Sequence, residues 1–516
     1  MDETSDEEVK RRRRLPRSKS FFSALVENPF VHRLKLSSGD KIRVALMSIT
    51  IAPIRVICTV TLFIVAWICA LLALAGLTED ELHNKPLAGW RLKMRNVVKD
   101  LGRLMMFCCG FHHIKVTGKQ ASAKDAPILV CAPHSSFIDL TVSFISYTLP
   151  CGVSRVENAK LFMFGALIRL IQPLLVSRED PNSRQNTIKE IQKRVQSGGT
   201  WPPLMIFPEG TCTNRSCLIA FKPGGFYPGV PVQPVCLRYK NKLDTVTWTW
   251  DGPGVLKVMW LTLCQLDNKM EIEFLDVYKP SDEEVEKPKL YAANVRDQMA
   301  ECLGVPTTDH TFEDCRLMLY AQKINFPAAA GLVEFYKISK KLGMNYDNMK
   351  ESLTKFTQIA QGKKNAVTVE ELAAYLEMPV SEPLEEMFAV YDRDGSGTID
   401  FREYVIGLHL VAEPANTEET LQFAFEVFDG GNKGYITECE LTEILHNAFG
   451  METDSAKSIF SQVDTNSDGR ITYDEFKVFA KKKPEYARLF INYHGIQVNS
   501  DGTSDNLDLA SKVKEE

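Results

Sequence analysis

The chain has 516 residues, more than one hydrophobic core usually organises, so two or more domains are expected and a single small module is excluded. Its 45% hydrophobic and 25% charged residues, with 25 Pro and 30 Gly, exclude a disordered or low-complexity chain. Sixty-six acidic against 61 basic side chains give a net charge of -5, which supplies no general attraction for nucleic acid.

Residues 1–43 read as a basic, disordered segment. Lys10, Arg11, Arg12, Arg13, Arg14, Arg17 and Lys19 form a run that Arg33, Lys35, Lys41 and Arg43 continue, and the positive-inside rule assigns this end to the cytosol. Asp2, Glu3, Asp6, Glu7 and Glu8 precede the run, so a solvated tail and contact with anionic headgroups both remain open. Residues 44–77 are the strongest compositional shift. Arg55 is their only charge before Leu77, and Val56 to Leu77 gives 22 residues with none, enough to cross a hydrocarbon core as a helix. Pro53 and Arg55 divide the stretch, which keeps both a spanning anchor and a re-entrant hairpin open.

From 78 to 335, short apolar runs alternate with helical patterns: 126–132, 204–207, 230–235 and 270–274, with the charged segment 186–196 among them. This order predicts an α/β domain, a central sheet covered by helices, with functional residues at strand ends. After the first run stands His134-Ser-Ser-Phe-Ile-Asp139. An imidazole can take a hydroxyl proton near neutral pH, and a carboxylate one turn away can hold its tautomer. Taken alone the pattern equally suits a helix-capping aspartate beside a structural histidine. Phe207-Pro-Glu-Gly-Thr-Cys-Thr-Asn214 follows another strand, Val230-Pro-Val-Gln-Pro-Val235 forms a third block, and Val176-Ser-Arg178 precedes a polar helix.

Together these four blocks resemble the glycerolipid acyltransferases, which transfer acyl groups from coenzyme A thioesters to glycerol hydroxyls. Ala132-Pro-His-Ser-Ser, the run Glu209 to Cys217, Phe221-Lys-Pro-Gly and Lys242-Leu-Asp-Thr-Val-Thr-Trp-Thr-Trp250 narrow the resemblance to the lysophosphatidylcholine acyltransferases. Within that family the type-2 subgroup, which also acetylates lyso-platelet-activating factor, is the most similar. The resemblance implies acyl-CoA or acetyl-CoA as donor, a lysophospholipid as acceptor and membrane lipids as surroundings. It implies His134 as the base on the acceptor hydroxyl, Asp139 as its partner and no covalent enzyme intermediate. Backbone amides around Gly210 and Thr211 are candidates for the tetrahedral oxyanion. Arg178 suits a phosphate. Glu209 is expected to contact glycerol or hold Arg178, and Lys222 to reach a coenzyme A phosphate, while Pro231 and Pro234 shape a strand. Asn214-Arg-Ser216 is formally a glycosylation acceptor, but inside this block it is expected to stay unmodified. Trp248, Trp250, Met259 and Trp260 suit an apolar acyl- or membrane-contact surface, but aromatic core at strand spacing is the commoner arrangement and the one expected here.

Residues 345–485 carry a repeat with a period near 35. Asp392, Asp394, Ser396, Thr398, Asp400 and Glu403 occupy positions 1, 3, 5, 7, 9 and 12 of a calcium loop, with Gly397 at the turn. Asp464, Asn466, Asp468, Arg470 (through its carbonyl) and Glu475 do the same around Gly469. Such oxygen spacing wraps a hard cation, so an all-α EF-hand domain with two competent loops is expected. Between them Asp429 and Glu440 keep positions 1 and 12, but Gly431 and Lys433 replace ligands, which predicts poor affinity. A fourth copy from Ala360 to Glu371 has Val367 at its apolar position but no acidic start and reads as a structural partner strand.

Thirteen scattered Cys form no disulfide framework or CxxC pair and read mostly as small buried hydrophobes. The tail 486–516 ends Lys512-Val-Lys514-Glu-Glu516, which resembles a dilysine retrieval signal to the endoplasmic reticulum, with Golgi or lipid droplets as further locations. Such a signal works only in the cytosol, which with a cytosolic N-terminus requires a hairpin or an even number of crossings. Two rival functions fit the sequence less well. A calcium-dependent adaptor with a dead enzyme domain predicts eroded blocks, and lipid hydrolysis lacks a GxSxG elbow.

Overall fold

The computed structural model describes residues 27–176, 183–327, 331–333, 335–360, 365–392, 395–415, 421–422, 425, 429, 433–449 and 451–483. The basic run before residue 20, Arg178, Asp394, Gly431 and the dilysine tail lie outside the described residues. The chain divides into two compact units, one running from Ser23 to Cys315 and the other from Arg316 onward.

In the first unit, the apolar stretch folds as two consecutive helices. Ser37 and Asp40 cap each other's backbone to start α1 (Ser38–Ile49), and α2 (Ile51–Leu74) follows with Pro53 in its first turn, where a missing N–H costs nothing. α2 is one helix long and apolar enough to cross a membrane. Its small residues Ala66, Ala70 and Ala73 are buried toward α3 (Gly89–Cys108), while Ile54, Ile57, Val60 and Leu72 are exposed. The lone charge is not free. Arg55 is 8% exposed and donates to the carbonyls of Leu263 at 2.8 Å and Leu266 at 3.0 Å, and to that of Gln265. These are the carbonyls left over at the end of a later helix, α5 (Val255–Leu263), so a helix C-terminus neutralises the charge. In α3, Gly102 faces Phe144, and a Cβ there would sit 2.4 Å from the ring. Any side chain at 102 would push α3 off the segment that follows the His134 turn.

The sheet has the order β1-β7-β6-β2-β5, with β1 (Ile114–Thr117), β2 (Ile128–Ala132), β5 (Leu204–Ile206), β6 (Val232–Tyr239) and β7 (Met270–Phe274). β3 (Val153–Arg155) and β4 (Leu174–Val176) form a separate parallel pair. All five residues of β2 are buried, as befits a parallel strand covered on both faces. Ile128, Val130 and Ala132 pack with Tyr291, Val295 and Met299 of α6 (Pro288–Leu303), and with Ile191 and Val195 of α4 (Ser183–Val195). Leu129 and Cys131 face the other way, onto Phe111, Ile138 and Val142. Burial of each of the large residues in β2 contributes about 1.5 to 3 kcal/mol. β2 runs parallel to both β5 and β6, so the three C-terminal ends lie side by side. Pro234 sits within β6 opposite Val130.

Aromatic placement departs from the sequence reading. Trp248, Trp250, Met259 and Trp260 are 38%, 54%, 44% and 39% exposed, not core. Segment 240–250 is a loop rather than a strand, and its alternation turns Thr247 and Thr249 inward and the two tryptophans out.

Among its described residues, the second unit is helical apart from two small ladders. Leu317, Ala321 and Phe326 already belong to its core. Strand β8 (Ala366–Val367) pairs antiparallel with β9 (Ile399–Asp400), Val367 opposite Ile399, and β10 (Tyr435–Thr437) pairs with β11 (Arg470–Thr472), Ile436 opposite Ile471. Each ladder thus joins an intact loop to a decayed one.

Candidate active site

β2 delivers His134 two residues past its end. The chain then turns through Ser135 and Ser136 into a short 3-10 helix, Phe137–Leu140. Ser136 and Asp139 form a capping box there: Ser136 N–H donates to Asp139 Oδ2 at 2.8 Å and Ser136 Oγ accepts from Ile138. Asp139 is therefore a helix cap, as the bland reading held, and it is also a partner of the histidine. His134 Nδ1 lies 2.9 Å from Asp139 Oδ2. Since a carboxylate accepts, the proton belongs on Nδ1 and Nε2 is left as the basic nitrogen.

The carboxylate is fully buried and fully engaged. Besides His134 and Ser136, Ser135 N–H donates to Oδ2 at 2.6 Å, while Ser135 Oγ at 3.4 Å and the Tyr239 hydroxyl at 2.6 Å donate to Oδ1. Five donors offset the loss of water around the charge. Phe207 stacks on the imidazole at 4.3 Å. Burial works against a charged imidazole, but hydrogen bonds from Asp139 and then Cys212 outweigh it and raise His134 to about 10.

Glu209 follows β5 and reaches the same turn. It is 1% exposed, and its Oε2 accepts the His134 N–H at 2.5 Å. Burial raises its pKa to about 8, against the downward pull of that N–H, so it is largely protonated at neutral pH. Oε1 is buried without a well-formed hydrogen bond among the described residues, although the Ile219 N–H lies close enough to the carboxyl to pull against its upward shift. Gly210, at φ +66°, turns the chain in the left-handed region, and a Cβ there would sit 2.8 Å from Lys222 Nζ. Its amide donates to Phe207 O at 3.1 Å, which closes the turn. That commitment removes Gly210 from the two proposed oxyanion amides and leaves Thr211. The Thr211 hydroxyl accepts from the Trp250 indole at 2.9 Å. Lys222 is exposed, with its ammonium 5.2 Å above the Phe312 ring. β4 ends at Val176, two residues before Arg178.

Asn214 is spoken for: its side-chain amide donates to Asn28 O at 2.9 Å and Val31 O at 3.0 Å. The nitrogen that glycosylation would use thus ties down the segment before α1. Sequence reasoning missed Tyr239, Arg215 and Asp244. Arg215 donates to Ser135 Oγ at 3.2 Å and to Asp244 Oδ2 at 2.6 Å, and its guanidinium lies 5.2 Å over the Tyr239 ring. The only available signal was position: Tyr239 ends the strand that contains the 230–235 block, and Asp244 lies in the block 242–250.

The calcium loops keep their turn geometry. In each, the first aspartate accepts from the backbone at positions 5 and 6: Asp392 from Ser396 and Gly397, Asp429 from Lys433 and Gly434, Asp464 from Asp468 and Gly469. The glycine at position 6 is left-handed in all three, at φ +81°, +79° and +77°. At position 12, Glu475 accepts from the backbone N–H groups of Thr465 and Thr472, whereas Glu440 Oε1 pairs with Lys433 Nζ at 2.6 Å. Charged amine thus stands at the bidentate carboxylate of the middle loop. The residues of the outer two loops fit calcium, and those of the middle loop do not.

Residues 113–238 match the acyltransferase family, residues 384–405 an EF hand and residues 418–481 an EF-hand domain pair. Lysophosphatidylcholine acyltransferase 2 of Homo sapiens is 48% identical over 485 residues, 94% of this chain and 88% of its own. Lysophosphatidylcholine acyltransferase 1 of Mus musculus is 47% identical over 465 residues, 90% of this chain and 86% of its own. Among solved structures, the 1-acyl-sn-glycerophosphate acyltransferase PlsC of Thermotoga maritima is matched over 97% of its chain and 51% of this one, at 17% identity and a TM-score of 0.35. With identity of this order across nearly the whole of both sequences, the chain belongs to the lysophosphatidylcholine acyltransferase family.

Proposed function

We propose that this acyltransferase moves the acyl group of an acyl-CoA onto the free glycerol hydroxyl of a lysophospholipid, with lysophosphatidylcholine and lyso-platelet-activating factor as acceptors and acetyl-CoA among the donors. The observation that carries it is the His134–Asp139 pair, in which Nδ1 is occupied and Nε2 is not needed to hold the turn. Nε2 takes the hydroxyl proton as the oxygen attacks the thioester carbonyl. The tetrahedral oxyanion meets the Thr211 N–H, and collapse breaks the carbon–sulfur bond. The departing thiolate recovers the proton from His134, so free coenzyme A and the diacyl product leave with the enzyme unchanged. The buried Oε1 of Glu209 is suited to a glycerol oxygen, and Arg178 and Lys222 to phosphates of the two substrates.

The outer loops, Asp392 to Glu403 and Asp464 to Glu475, each hold one calcium ion, supplying carboxylate, amide and carbonyl oxygens, and the middle loop holds none. Asp394 is the third-position ligand of the first. The membrane segment lies in one leaflet rather than crossing: α2 packs along α3, whose Arg91, Lys93, Lys99 and Arg103 have no place in hydrocarbon. That topology keeps 1–43 and 486–516 on the cytosolic side of the endoplasmic reticulum and lets the dilysine tail operate. The anchor spans 44–77, the acyltransferase domain runs from 78 to Cys315 rather than to 335, because Leu317, Ala321 and Phe326 pack into the core of the other unit, and 345–485 carries the EF-hands.

Product formation by mass spectrometry tests the reading. Membranes bearing wild type or His134→Ala are given lysophosphatidylcholine or lyso-platelet-activating factor with a panel of acyl-CoA donors. Transfer by wild type that is lost in the variant is expected. Equal product from both, at equal protein, sinks the base assignment, and no product from either across the panel favours the calcium-dependent adaptor.

A further inference from the structure

The 242–250 block and the end of β6 have no part in the mechanism above, yet both converge on the back of the dyad. Tyr239, the last residue of β6, donates its hydroxyl to Asp139 Oδ1 at 2.6 Å, on the oxygen that His134 does not use. Arg215 covers the Tyr239 ring at 5.2 Å and donates to Ser135 Oγ at 3.2 Å, the other hydroxyl that faces Oδ1. Its backbone sits at φ +67°, a conformation few side chains adopt without support. Asp244 supplies that support by accepting from Arg215 at 2.6 Å, while Thr247 Oγ1 donates to Asp244 at 2.6 Å and His32 Nδ1 lies 4.0 Å away. Finally, the Trp248 N–H donates to Ser135 O at 2.8 Å, so the same block grips the His134 turn from its backbone.

We propose that Tyr239, held by Arg215 and Asp244, is a positioning residue that shares the negative charge of Asp139 and thereby keeps His134 available as a base. The proposal rests on the reading of His134 as the base. A carboxylate that faces an imidazole alone concentrates its charge there and favours imidazolium, the form that cannot accept a proton. A second strong donor on the far oxygen draws charge away and fixes the plane of the carboxylate, so that Nδ1 stays bonded and Nε2 stays aimed. Burial and the adjacent Asp139 charge hold the Tyr239 hydroxyl well above its ordinary value, with Arg215 pulling the other way, so it remains a neutral donor throughout the working range. The groups that face this cluster are His134, Asp139, Cys131, Glu209, Cys212, Arg215, Asp244 and His32, of which Glu209, at about 8, also titrates between pH 6 and 10 and is common to every variant compared.

The test measures kcat and KM of the full-length enzyme in its membrane from pH 6 to 10. It compares wild type, Tyr239→Phe, Asp139→Asn, the Asp139→Asn/Tyr239→Phe double variant and His134→Ala. Loss of one hydrogen bond to a charged group should lower kcat of Tyr239→Phe about tenfold at neutral pH, with KM for acyl-CoA unchanged. Its rate should recover as pH rises, because the limb governed by His134 moves to higher pH. In the Asp139→Asn background the same substitution should cost less than about twofold, since the two residues act through one contact. A Tyr239→Phe enzyme with wild-type kcat and an unmoved limb overturns the proposal, as does an undiminished tenfold loss in the Asp139→Asn background. Should Tyr239→Phe accumulate poorly, Arg215→Lys gives the same reading: a smaller shift in the same direction supports the network, and an unmoved limb refutes it. His134→Ala separates the two levels. Full activity there removes the base itself, whereas a dead His134→Ala beside a normal Tyr239→Phe removes only the role of the tyrosine.

Discussion

Asp139 and Glu475 are both carboxylates held by backbone and hydroxyl donors, yet the chain uses them in opposite ways. Asp139 is fully buried, and all five of its partners belong to the chain. Glu475 sits half-buried in the first turn of the helix Tyr473–Lys482, at the end of its loop, and is anchored by Thr465 and Thr472, with the remaining coordination left to an exchangeable cation. A desolvated anion needs permanent partners, because nothing dissociable can be relied on to offset its loss of water. A hydrated loop can let its charges wait. Glu440 shows a third arrangement on the same scaffold, where the cation is the ammonium of Lys433, covalently part of the loop. That pairing pulls Glu440 down to about 2.

The largest break in the comparison is His134→Ala. It should lower acyl transfer by about 100- to 10,000-fold, the usual contribution of a general base, while calcium binding is unaltered. Initial rates and calcium titration on the same preparation check both halves. A variant that lost calcium along with activity would point to misfolding rather than missing chemistry.

Asp139→Asn comes next. His134 stands at about 10 in the folded protein, so only its neutral fraction can act and the rate should climb with pH through the neutral and mildly alkaline range. Without the carboxylate, the imidazolium loses its stabilising charge and the limb should move to lower pH. The ceiling should fall about tenfold or more as the tautomer is no longer fixed. A pH–rate profile with the limb in its original place would show that Asp139 serves only as the cap of the 3-10 helix.

For the loops the effects are whole ions. Wild type should bind two calcium ions per chain, and Glu475→Gln or Glu403→Gln should each remove one, as counted by native mass spectrometry or calorimetric titration. Lys433→Asn combined with Gly431→Asp restores oxygen ligands at positions 3 and 5 and should add a third. A wild-type count of three would refute the role given to Lys433.

These contrasts also mark what was legible in the sequence. His134 with Asp139 and the loops at 392 and 464 are short-range patterns whose geometry is fixed by a single turn; spacing alone located the loops, whereas the dyad was singled out only by the resemblance that the neighbouring blocks carry. β2, β5 and β6 were legible as apolar runs because both faces of the sheet are covered there, and β7 as an alternation because only one of its faces is buried. Tyr239 and Arg215 were not, since they meet Asp139 and Ser135 across 100 and 80 residues, and only the placement of β6 beside β2 brings them there. The Gly210 amide was misassigned because the sequence does not reveal that the turn closes on Phe207 O. Trp248 and Trp250 misled for a related reason: alternation mimics a strand wherever a loop happens to alternate.

The smallest expected effect concerns Glu209, and it sharpens the contrast between buried and loop carboxylates. Its ordinary value is 4.5 and burial lifts it to about 8, so the folded protein binds this proton more tightly than the unfolded chain does. The stabilisation is complete below 4.5 and is lost as pH rises through about 8. Glutamine keeps the shape and stays neutral at every pH. Glu209→Gln should therefore lose less thermal stability than wild type between pH 5.5 and 8.5, a difference read directly as the change in Tm. Loop carboxylates should behave the other way. Glu475, pulled below its ordinary value by hydrogen bonds from Thr472 and Thr465 against a burial penalty, contributes stability above that value and loses it in acid. Parallel pH–Tm curves for wild type and Glu209→Gln would mean that Glu209 is charged in the folded state, and its buried oxygen would then need a cationic partner rather than a glycerol oxygen.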